Sequence, residues 1–470
     1  MNIRDDKILK NIKDGWLVGG CVRDFLMGKT TYDRDIAIFG AENFAKKIAK
    51  EFEGTFIVLD SENQIFRVVL PDKLNYLDIS EIEGNSIEED LQRRDFTINA
   101  IGYNLETDEY IDVTGGIEDL KNHTLRHIKD KNFEDDPLRI LRAFRFASVT
   151  GFEMTDELKN AINKYKATLL NPSKERITYE LMKFFGGKNA SKTLLLMDEF
   201  GILEVLFPCV KEMKLVPPNT HHHLDLFLHV VETVRNIEEI YENLPEEEKA
   251  HLDRVDFGGF PRINHLKLAG FLHDIGKYST WTIEGGNFDG MRGTDCNVSA
   301  LEDGVRQRFI KHDDVGSKMC VPLLRDLKFS KKQIDYISQM IKIHIYPSNV
   351  VASPDLSEKI MMRYLRKTGD NVIDNIVLAK ADRYSARGPA ITDETVKQNI
   401  EGLDKLLNFY MTKKDTLKPL PKLLDGFDVM QIKNITQSPK LGEYMTALHE
   451  AQINGDVVTK EDAINFIKTL

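Results

Sequence analysis

Leu17-Val18-Gly19-Gly20-Cys21-Val22-Arg23-Asp24, followed shortly by Tyr32-Asp33-Arg34-Asp35-Ile36-Ala37-Ile38, is the stretch on which the reading of this 470-residue chain turns. The Gly19-Gly20 pair lets backbone approach a polyphosphate closely, and a helix opening near Cys21 presents free N–H groups and its positive dipole end to anions. In a strand, residues i and i+2 face the same way, so Asp33 and Asp35 can converge on a hard divalent cation such as Mg2+. A phosphate cradle beside paired carboxylates is what nucleotidyl transfer by two metals requires. A D-x-D alone is more often the solvated end of a strand; the preceding Gly-Gly-x-Val-Arg-Asp, with Arg23 for charge, gives it a chemical reading. Asp78, on a later strand-like run, is a candidate third carboxylate for the same site.

Outward from this stretch, residues 16 to about 125 mix strand-like runs with helices. Trp16-Leu17-Val18, Asp35–Phe39, Thr55–Leu59, Ile65–Leu70 and Tyr76–Ile79 have strand composition. Phe44, Ala45, Ile48, Ala49 and Phe52 recur at helical spacing and predict a crossover helix over 41–53. From about Asp136 onward helical patterns dominate. Val216-Pro217-Pro218-Asn219 cannot continue a helix and marks a domain boundary, and Gly388-Pro389 with Pro419-Leu420-Pro421 marks a second boundary zone. Glu246-Glu247-Glu248-Lys249 and Gly285-Gly286-Asn287 read as surface loops, and Leu423–Leu470 as a small helical tail.

Bulk properties narrow the class. The chain is too long for one ordinary core, so about two to four domains are expected. A net charge of −11 argues against a generally basic nucleic-acid coat, so any RNA contact must come from a local cluster, for which Arg142, Arg145, Lys183, Lys188 and Lys192 are candidates. Cys21, Cys209, Cys296 and Cys320 form no CxxC pair, which suits a reduced, cytoplasmic setting. The charged Met1–Lys7 stretch lacks the apolar core of a signal peptide, and no run of ~18 apolar residues predicts a membrane span.

Two further clusters carry chemistry. In Leu91-Gln92-Arg93-Arg94-Asp95-Phe96-Thr97-Ile98-Asn99-Ala100, Arg93 and Arg94 beside a carboxylate and an amide can hold a triphosphate and a ribose hydroxyl. Asp95 and Asn99 stand at i and i+4, sharing a face on a helix. The bland alternative is a surface helix start with Arg–Asp pairing. In Asp135-Asp136-Pro137-Leu138-Arg139-Ile140-Leu141-Arg142-Ala143-Phe144-Arg145-Phe146, Pro137 suits a first helical turn and the acidic pair suits its dipole. Asp136 and Arg139, at i and i+3, offer one fixed acceptor beside a rigid donor fork. Cytosine and adenine both show an amino donor beside a ring-nitrogen acceptor, whereas uracil and guanine show the reverse. One Asp–Arg pair can therefore accept C and A and reject U and G.

These motifs, with Asp112-Val113-Thr114-Gly115-Gly116 and Glu175-Arg176-Ile177 plus Glu180, resemble in order the motif set of class II tRNA nucleotidyltransferases, the CCA-adding enzymes and their poly(A) polymerase relatives, over about residues 15 to 185. The resemblance implies Asp33 and Asp35 as catalytic ligands of Mg2+, Arg94 and Asp95 at the triphosphate and ribose, and Asp136 with Arg139 as the protein template for the incoming base. Gly19, Gly20, Arg23, Arg93, Asn99, Arg142 and Arg145 complete the expected nucleotide site. It also implies that Asp112–Gly116 is a hinge and that the Glu175-Arg176 helix start braces the base-reading helix. Between Asp78 and Leu91 only Ile79–Asp90 intervene, where full CCA-adding members carry a longer flexible loop; similar shortening is seen in members that add only part of the triplet. Gln64-Ile65-Phe66-Arg67-Val68 stands where polymerase relatives carry a basic Gly-Arg-Arg-Phe-like stretch, which favours a tRNA enzyme.

His229, His273-Asp274, His312, His344 and Asp382 form a second constellation, with His273-Asp274 inside Gly270-Phe271-Leu272-His273-Asp274-Ile275-Gly276-Lys277. A lone His on an apolar helix is more often a satisfied core residue than a ligand. This series on successive helices resembles an HD-type phosphohydrolase domain, which implies a centre of divalent transition metal or Mg2+ with metal-activated water. His221 or His222 is a candidate to face it, and Lys277 to meet a substrate phosphate.

The expected architecture is α+β: a small mixed-sheet, polymerase-beta-like head over 1–128, an all-α neck over 129–216, an all-α HD domain over 217–390 and a helical tail over 391–470. The expected activity is addition of C, A or both to tRNA 3′ ends from CTP and ATP, with hydrolysis of 2′,3′-cyclic phosphates or 2′-nucleotides in the HD half. A poly(A) polymerase extending RNA with ATP, and an HD phosphohydrolase using the head as an RNA-binding module, remain the alternatives.

Overall fold

A computed structural model describes residues 3–29, 31–296, 305–416 and 420–470, and the chain divides into two units, Met1–Leu206 and Phe207–Leu470. Met1, Asn2 and Pro419 of the stretches read above lie outside the described residues. In the first unit, β1 (Trp16–Val18) leads into α1 (Gly20–Leu26), then β2 (Asp35–Ile38), α2 (Ala41–Glu51), β3 (Thr55–Asp60), β4 (Ile65–Val69), β5 (Tyr76–Glu81) and α3 (Ile87–Gln92). Two short strands that the sequence pattern did not announce, β6 (Gly102–Asn104) and β7 (Tyr110–Ile111), complete a sheet of order β3-β4-β5-β2-β1-β6-β7. The pair β2–β5 is parallel and the other neighbours are antiparallel. The face of α2 that buries Phe44, Ala45, Ile48 and Ala49 closes one side of this sheet.

Register decides the chemistry. Asp35 pairs with Asp78 across β2–β5, and with Val18 across β1–β2, so both the third carboxylate and the Gly19 turn are delivered to Asp35. Between the two aspartates Arg34 points the other way, buried, with its guanidinium on Asp6 at 2.7 Å and on Asn75 at 3.1 Å. Extended backbone leading into β2, which itself begins at Asp35, thus places the Asp33 and Asp35 carboxylates on one side and the Arg34 cation on the other.

The helical remainder of this unit runs α4 (Gly116–Lys121), β8 (Thr124–Leu125), α5 (Lys131–Asp135), α6 (Leu138–Thr150), β9 (Glu153–Met154), α7 (Asp156–Tyr165), α8 (Lys174–Phe185), α9 (Ala190–Glu199) and α10 (Ile202–Leu206). Asp112 accepts the Gly116 and Ile117 amides at 2.8 Å and so caps α4. Gly116 is required here, since a Cβ would lie 2.1 Å from the Thr97 carbonyl oxygen. α6 packs on α8 and α9.

In the second unit α11 (Val210–Met213) precedes the Pro217-Pro218 break, then α12 (Leu226–Glu242), α13 (Glu246–Leu252), α14 (Arg262–Leu272) and α15 (Lys277–Thr280). A hairpin follows, β10 (Trp281–Glu284) against β11 (Arg306–Phe309), an exception to the otherwise helical reading. Then come α16 (His312–Asp326), α17 (Lys331–Ile343), α18 (Tyr346–Val351), α19 (Glu358–Thr368), α20 (Val372–Ser385) and α21 (Asp393–Lys413). The tail is α22 (Gly426–Lys433), α23 (Pro439–Asn454) and α24 (Lys460–Thr469), with its own core of Leu424, Val429, Leu448, Ala451, Val457, Ala463 and Ile467. Glu246–Lys249 is not a loop: it opens α13, where three glutamates in the first turn complement the positive end of the helix dipole. Among the described residues no helix is long and apolar enough to cross a membrane.

Candidate active site

A cleft of about 710 Å3 in the first unit is lined by Gly19, Gly20, Arg23, Asp33, Asp35, Arg93, Arg94, Asp95, Asn99, Asp136, Arg139, Arg142 and Arg145, together with Phe146 and Lys183. Of the catalytic and nucleotide-site residues expected in this unit, all but Asp78 line it. Asp78 is close by, since one oxygen each from Asp33, Asp35 and Asp78 lies within 4.8 Å of the others. Both Asp78 oxygens are, however, engaged at 2.7 Å by Arg67, so Asp78 is a carboxylate already neutralised by a cation. Burial, then the neighbouring Asp33 and Asp78 charges, push the Asp35 carboxyl up to about 7. Burial and Asp78 also raise Asp33, and Lys183 heads the cations that pull it back. Carboxylates crowded until one is inclined to keep a proton form a donor set that a hard divalent cation relieves. Gly19, at φ +73°, leaves the space above them open: a Cβ there would stand 3.3 Å from Asp35 Oδ2 and 3.4 Å from Arg94 Nη1.

Asp90, missed in the sequence reading, holds both arginines of the second motif. It is 1% exposed, bonds Arg93 Nη2 at 2.8 Å and Arg94 Nη2 at 2.9 Å, and stands three and four residues before them. That i, i+3 and i+4 spacing was the available signal. Asp95 and Asn99 do not share an α-helix, since α3 ends at Gln92 and Thr97–Asn99 is a 3-10 turn. They meet all the same, Asn99 Nδ2 donating to Asp95 Oδ1 at 3.0 Å while Arg23 Nη1 donates to Asn99 Oδ1 at 2.7 Å. Burial pushes the Asp95 carboxyl up, but the Arg142 charge and bonds from Asn99, Arg142 and the Phe96 amide outweigh it and bring it down to about 2.

The expected helical face shared by Asp136 and Arg139 is also corrected. Asp136 lies before α6 in extended backbone, φ −144° and ψ 96°, because Pro137 disfavours helical geometry in the residue before it. Its Oδ1 accepts the Leu138 amide at 3.2 Å, and its Oδ2 is held at 2.8 Å by Arg176 at the start of α8. Arg139 donates to the Asn132 and Arg93 carbonyls, both at 2.9 Å, which ties α6 to the arginine motif. Arg142 and Arg145 are not a solvated basic face. Arg142 Nε bonds Asp95 at 2.7 Å, and Arg145 Nε lies 2.7 Å from Glu180, which is 3% exposed.

The second unit assembles all six residues of the other constellation. His229 Nε2 stands 3.3 Å from Asp274 Oδ2 and 3.2 Å from Asp382 Oδ1, and His273 Nε2 stands 3.1 Å from Asp274 Oδ2. On the opposite side, His312 and His344 Nε2 lie 3.2 and 3.6 Å from Asp274 Oδ1. The Nδ1 atoms of His273, His312 and His344 donate to the Gly270, Phe309 and Ile341 carbonyls at 2.7, 2.7 and 2.6 Å. That leaves their Nε2 lone pairs pointing inward, where His229 and His273 approach to 3.3 Å and so do His312 and His344. Lone pairs facing one another around a buried carboxylate are a cation's donor set. His222 joins His229 and Asp382, and Lys277 lies 2.6 Å from Asp274 and 3.3 Å from His222. A pocket of about 280 Å3 opens over the cluster, lined also by His221, Gln307, Arg308, Phe309 and Arg383.

Three family models match the chain: the poly(A) polymerase head domain over residues 15–126, the probable RNA and SrmB-binding site of polymerase A over 151–214, and the HD domain over 226–387. The chain thus carries these three domains in that order. Its relatives include an A-adding tRNA nucleotidyltransferase from Deinococcus radiodurans, 28% identical over 96% of this chain and 94% of that one. A CC-adding tRNA nucleotidyltransferase from Thermus thermophilus is 28% identical over 97% and 93%. In solved structures the same fold recurs in a Thermotoga maritima CCA-adding enzyme complexed with tRNA, with TM-score 0.52 and 22% identity over 97% of this chain and 90% of that one. A tRNA-processing enzyme in its apo form matches at TM-score 0.56 and 19% identity, over 95% of each. The head match ends at residue 126 and the next begins at 151, so Asp136 and Arg139 lie between two matched segments.

Proposed function

We propose that the chain is a tRNA 3′-end nucleotidyltransferase that uses CTP or ATP, with Mg2+ held by Asp33 and Asp35. The observation that carries this is one cleft lined by the Asp33–Asp35 carboxylate pair, by Arg23, Arg93 and Arg94, and by Asp136 with Arg139. Bound metal would polarise the attacking hydroxyl and screen the developing charge. The chain's own residues orient the reactants: Arg23, Arg93 and Arg94 face the triphosphate, Asp95 and Asn99 the ribose, and Asp136 with Arg139 the edge of the base. The tRNA 3′-oxygen attacks the α-phosphorus, the bond to the β-phosphate breaks, and pyrophosphate leaves.

Only residues 82–86 link β5 to α3, and Asp136 and Arg139 are fastened by Arg176 and by backbone carbonyls. A base reader without a mobile neighbour suits one kind of nucleotide, part of the triplet rather than all of it. Transcripts ending before the triplet, after its first base and after its second, each given labelled CTP or ATP, test this on one gel. Incorporation of a single nucleotide type is expected; incorporation of neither refutes transfer, and ATP addition to any RNA regardless of its end selects the poly(A) reading.

The HD cluster supports a second activity in the same chain, metal-dependent hydrolysis of a small phosphoester such as a 2′,3′-cyclic phosphate or a 2′-nucleotide. His229, His273, Asp274, His312, His344 and Asp382 would hold the divalent metal, which would supply an activated water, leaving Lys277, Arg308 and Arg383 to meet the phosphate. Hydrolysis that survives in a His273→Ala, Asp274→Ala variant contradicts this assignment.

A further inference from the structure

On α8, Arg176, Tyr179 and Lys183 stand at i, i+3 and i+7 and so form one stripe of the helix. At one end Arg176 holds Asp136; at the other Lys183 lines the cleft with Asp33 and Asp35. Between them the Tyr179 ring is 50% exposed, with the Lys183 ammonium over one of its faces, 4.4 Å from the centroid, so that a base would stack against the opposite face. The stripe therefore runs from the base-reading residues to the carboxylate pair, along the neck side of the cleft.

The lining arginines each already hold a protein partner, Arg23 on Asp24 and Asn99. Arg93 and Arg94 are on Asp90, Arg142 and Arg145 are on Asp95 and Glu180, and Arg139 is on two carbonyls. The incoming nucleotide, on the reading above, occupies that side. The second reactant, an RNA 3′ end, must reach the carboxylates from another direction. An unstacked RNA end is what an aromatic face with a cation beside it recognises, because every base has a π-face and every linkage a charge.

The geometry points to Tyr179 and Lys183 as the seat of the acceptor RNA: the ring stacks on its last base, and the ammonium meets its last phosphodiester. This rests on the cleft being a tRNA nucleotidyltransferase site. It adds a subsite for the acceptor that is separate from the subsite for the nucleotide.

The test is steady-state incorporation by the full chain into a tRNA transcript lacking the triplet. Tyr179→Ala raises the tRNA KM by about 5- to 150-fold, the range of one lost base stack, with the nucleotide KM unchanged. Tyr179→Phe, which keeps the ring, recovers the tRNA KM. Lys183→Met lowers by about one the slope of log kcat/KM for tRNA against log salt, as loss of one phosphate contact does. An unchanged tRNA KM and salt slope in both variants, or a nucleotide KM that rises in step with the tRNA KM, overturns the assignment. If the wild-type chain incorporates neither CTP nor ATP into any transcript, the reading of the cleft itself fails, and this assignment with it.

Discussion

Gly276→Ala is predicted to disable the HD centre while leaving nucleotidyl transfer intact. A Cβ on Gly276 would lie 2.1 Å from the His312 carbonyl oxygen, 2.7 Å from the Gly316 amide nitrogen and 3.0 Å from the His312 carbonyl carbon. All three atoms are backbone of the first turn of α16, so no side-chain rotation relieves the clash. Ordinary contact begins at 3.4 Å, and α16 must therefore retreat by more than an ångström. His312 opens that helix, with its Nε2 3.2 Å from Asp274 Oδ1 and 3.3 Å from His344 Nε2. Ligand distances in metal sites hold to about 0.2 Å, so a shift of this size removes His312 from the donor set. Overpacking costs about 1–3 kcal/mol of stability, and a misplacement of about 1 Å at a catalytic group costs about 100-fold in rate. The assay is hydrolysis of a 2′,3′-cyclic nucleotide with added divalent metal, read beside metal content and CTP or ATP incorporation by the same preparation. Hydrolysis falling about 100-fold, with loss of bound metal and unchanged incorporation, is the expected result. Hydrolysis at the wild-type rate with full metal content would refute the claim that close approach of α16 to Gly276 sets the second half of the centre.

Other consequences follow from the same contacts. Asp136→Ala removes the acceptor beside the Arg139 fork and is expected to weaken discrimination between correct and incorrect nucleotides by about 1–3 kcal/mol, measured as the ratio of kcat/KM values, with tRNA binding little changed; unaltered selectivity takes that pair out of base reading. His265 is fully buried, with Nδ1–H donating to the Pro261 carbonyl at 3.0 Å and Nε2 accepting from Gln333 at 3.0 Å. Burial holds its pKa down at about 4, so the unfolded chain binds a proton between pH 6.5 and about 4 that the folded chain does not. Stability contributed by neutral His265 is therefore complete above pH 6.5 and is lost on acidification toward pH 4, on the order of 3 kcal/mol. The wild-type Tm should fall more steeply across that window than the Tm of His265→Gln, and parallel curves would contradict the assignment.

How far these sites were legible in the sequence depends on the range of the interaction. Asp33 and Asp35 could be placed together because the alternation of extended backbone is local, although β2 begins only at Asp35, and Gly19 because a turn announces itself. The HD residues were legible as residue types on successive helices, but that Asp274 stands between two groups of imidazoles needed the packing of α12, α14, α16, α17 and α20. Asp95 and Asn99 were paired for the wrong reason: the 3-10 turn brings them together where an α-helix was expected. Arg142 and Arg145 looked like surface charge because their partners, Asp95 and Glu180, are 47 and 35 positions away in the chain. Glu246–Glu248 looked like a loop because like charges repel, whereas a helix start welcomes them.

The central claim is that Asp33 and Asp35 drive addition of C or A to a tRNA end. It is tested most directly by labelled CTP and ATP incorporation into the three truncated transcripts by the wild-type chain and by Asp35→Asn, with tRNA binding and cyclic-phosphate hydrolysis measured in parallel. The account predicts that the wild type extends one or more transcripts with a single nucleotide type, and that Asp35→Asn extends none while still binding tRNA and hydrolysing the cyclic phosphate. Incorporation that persists in Asp35→Asn at the wild-type rate would contradict it.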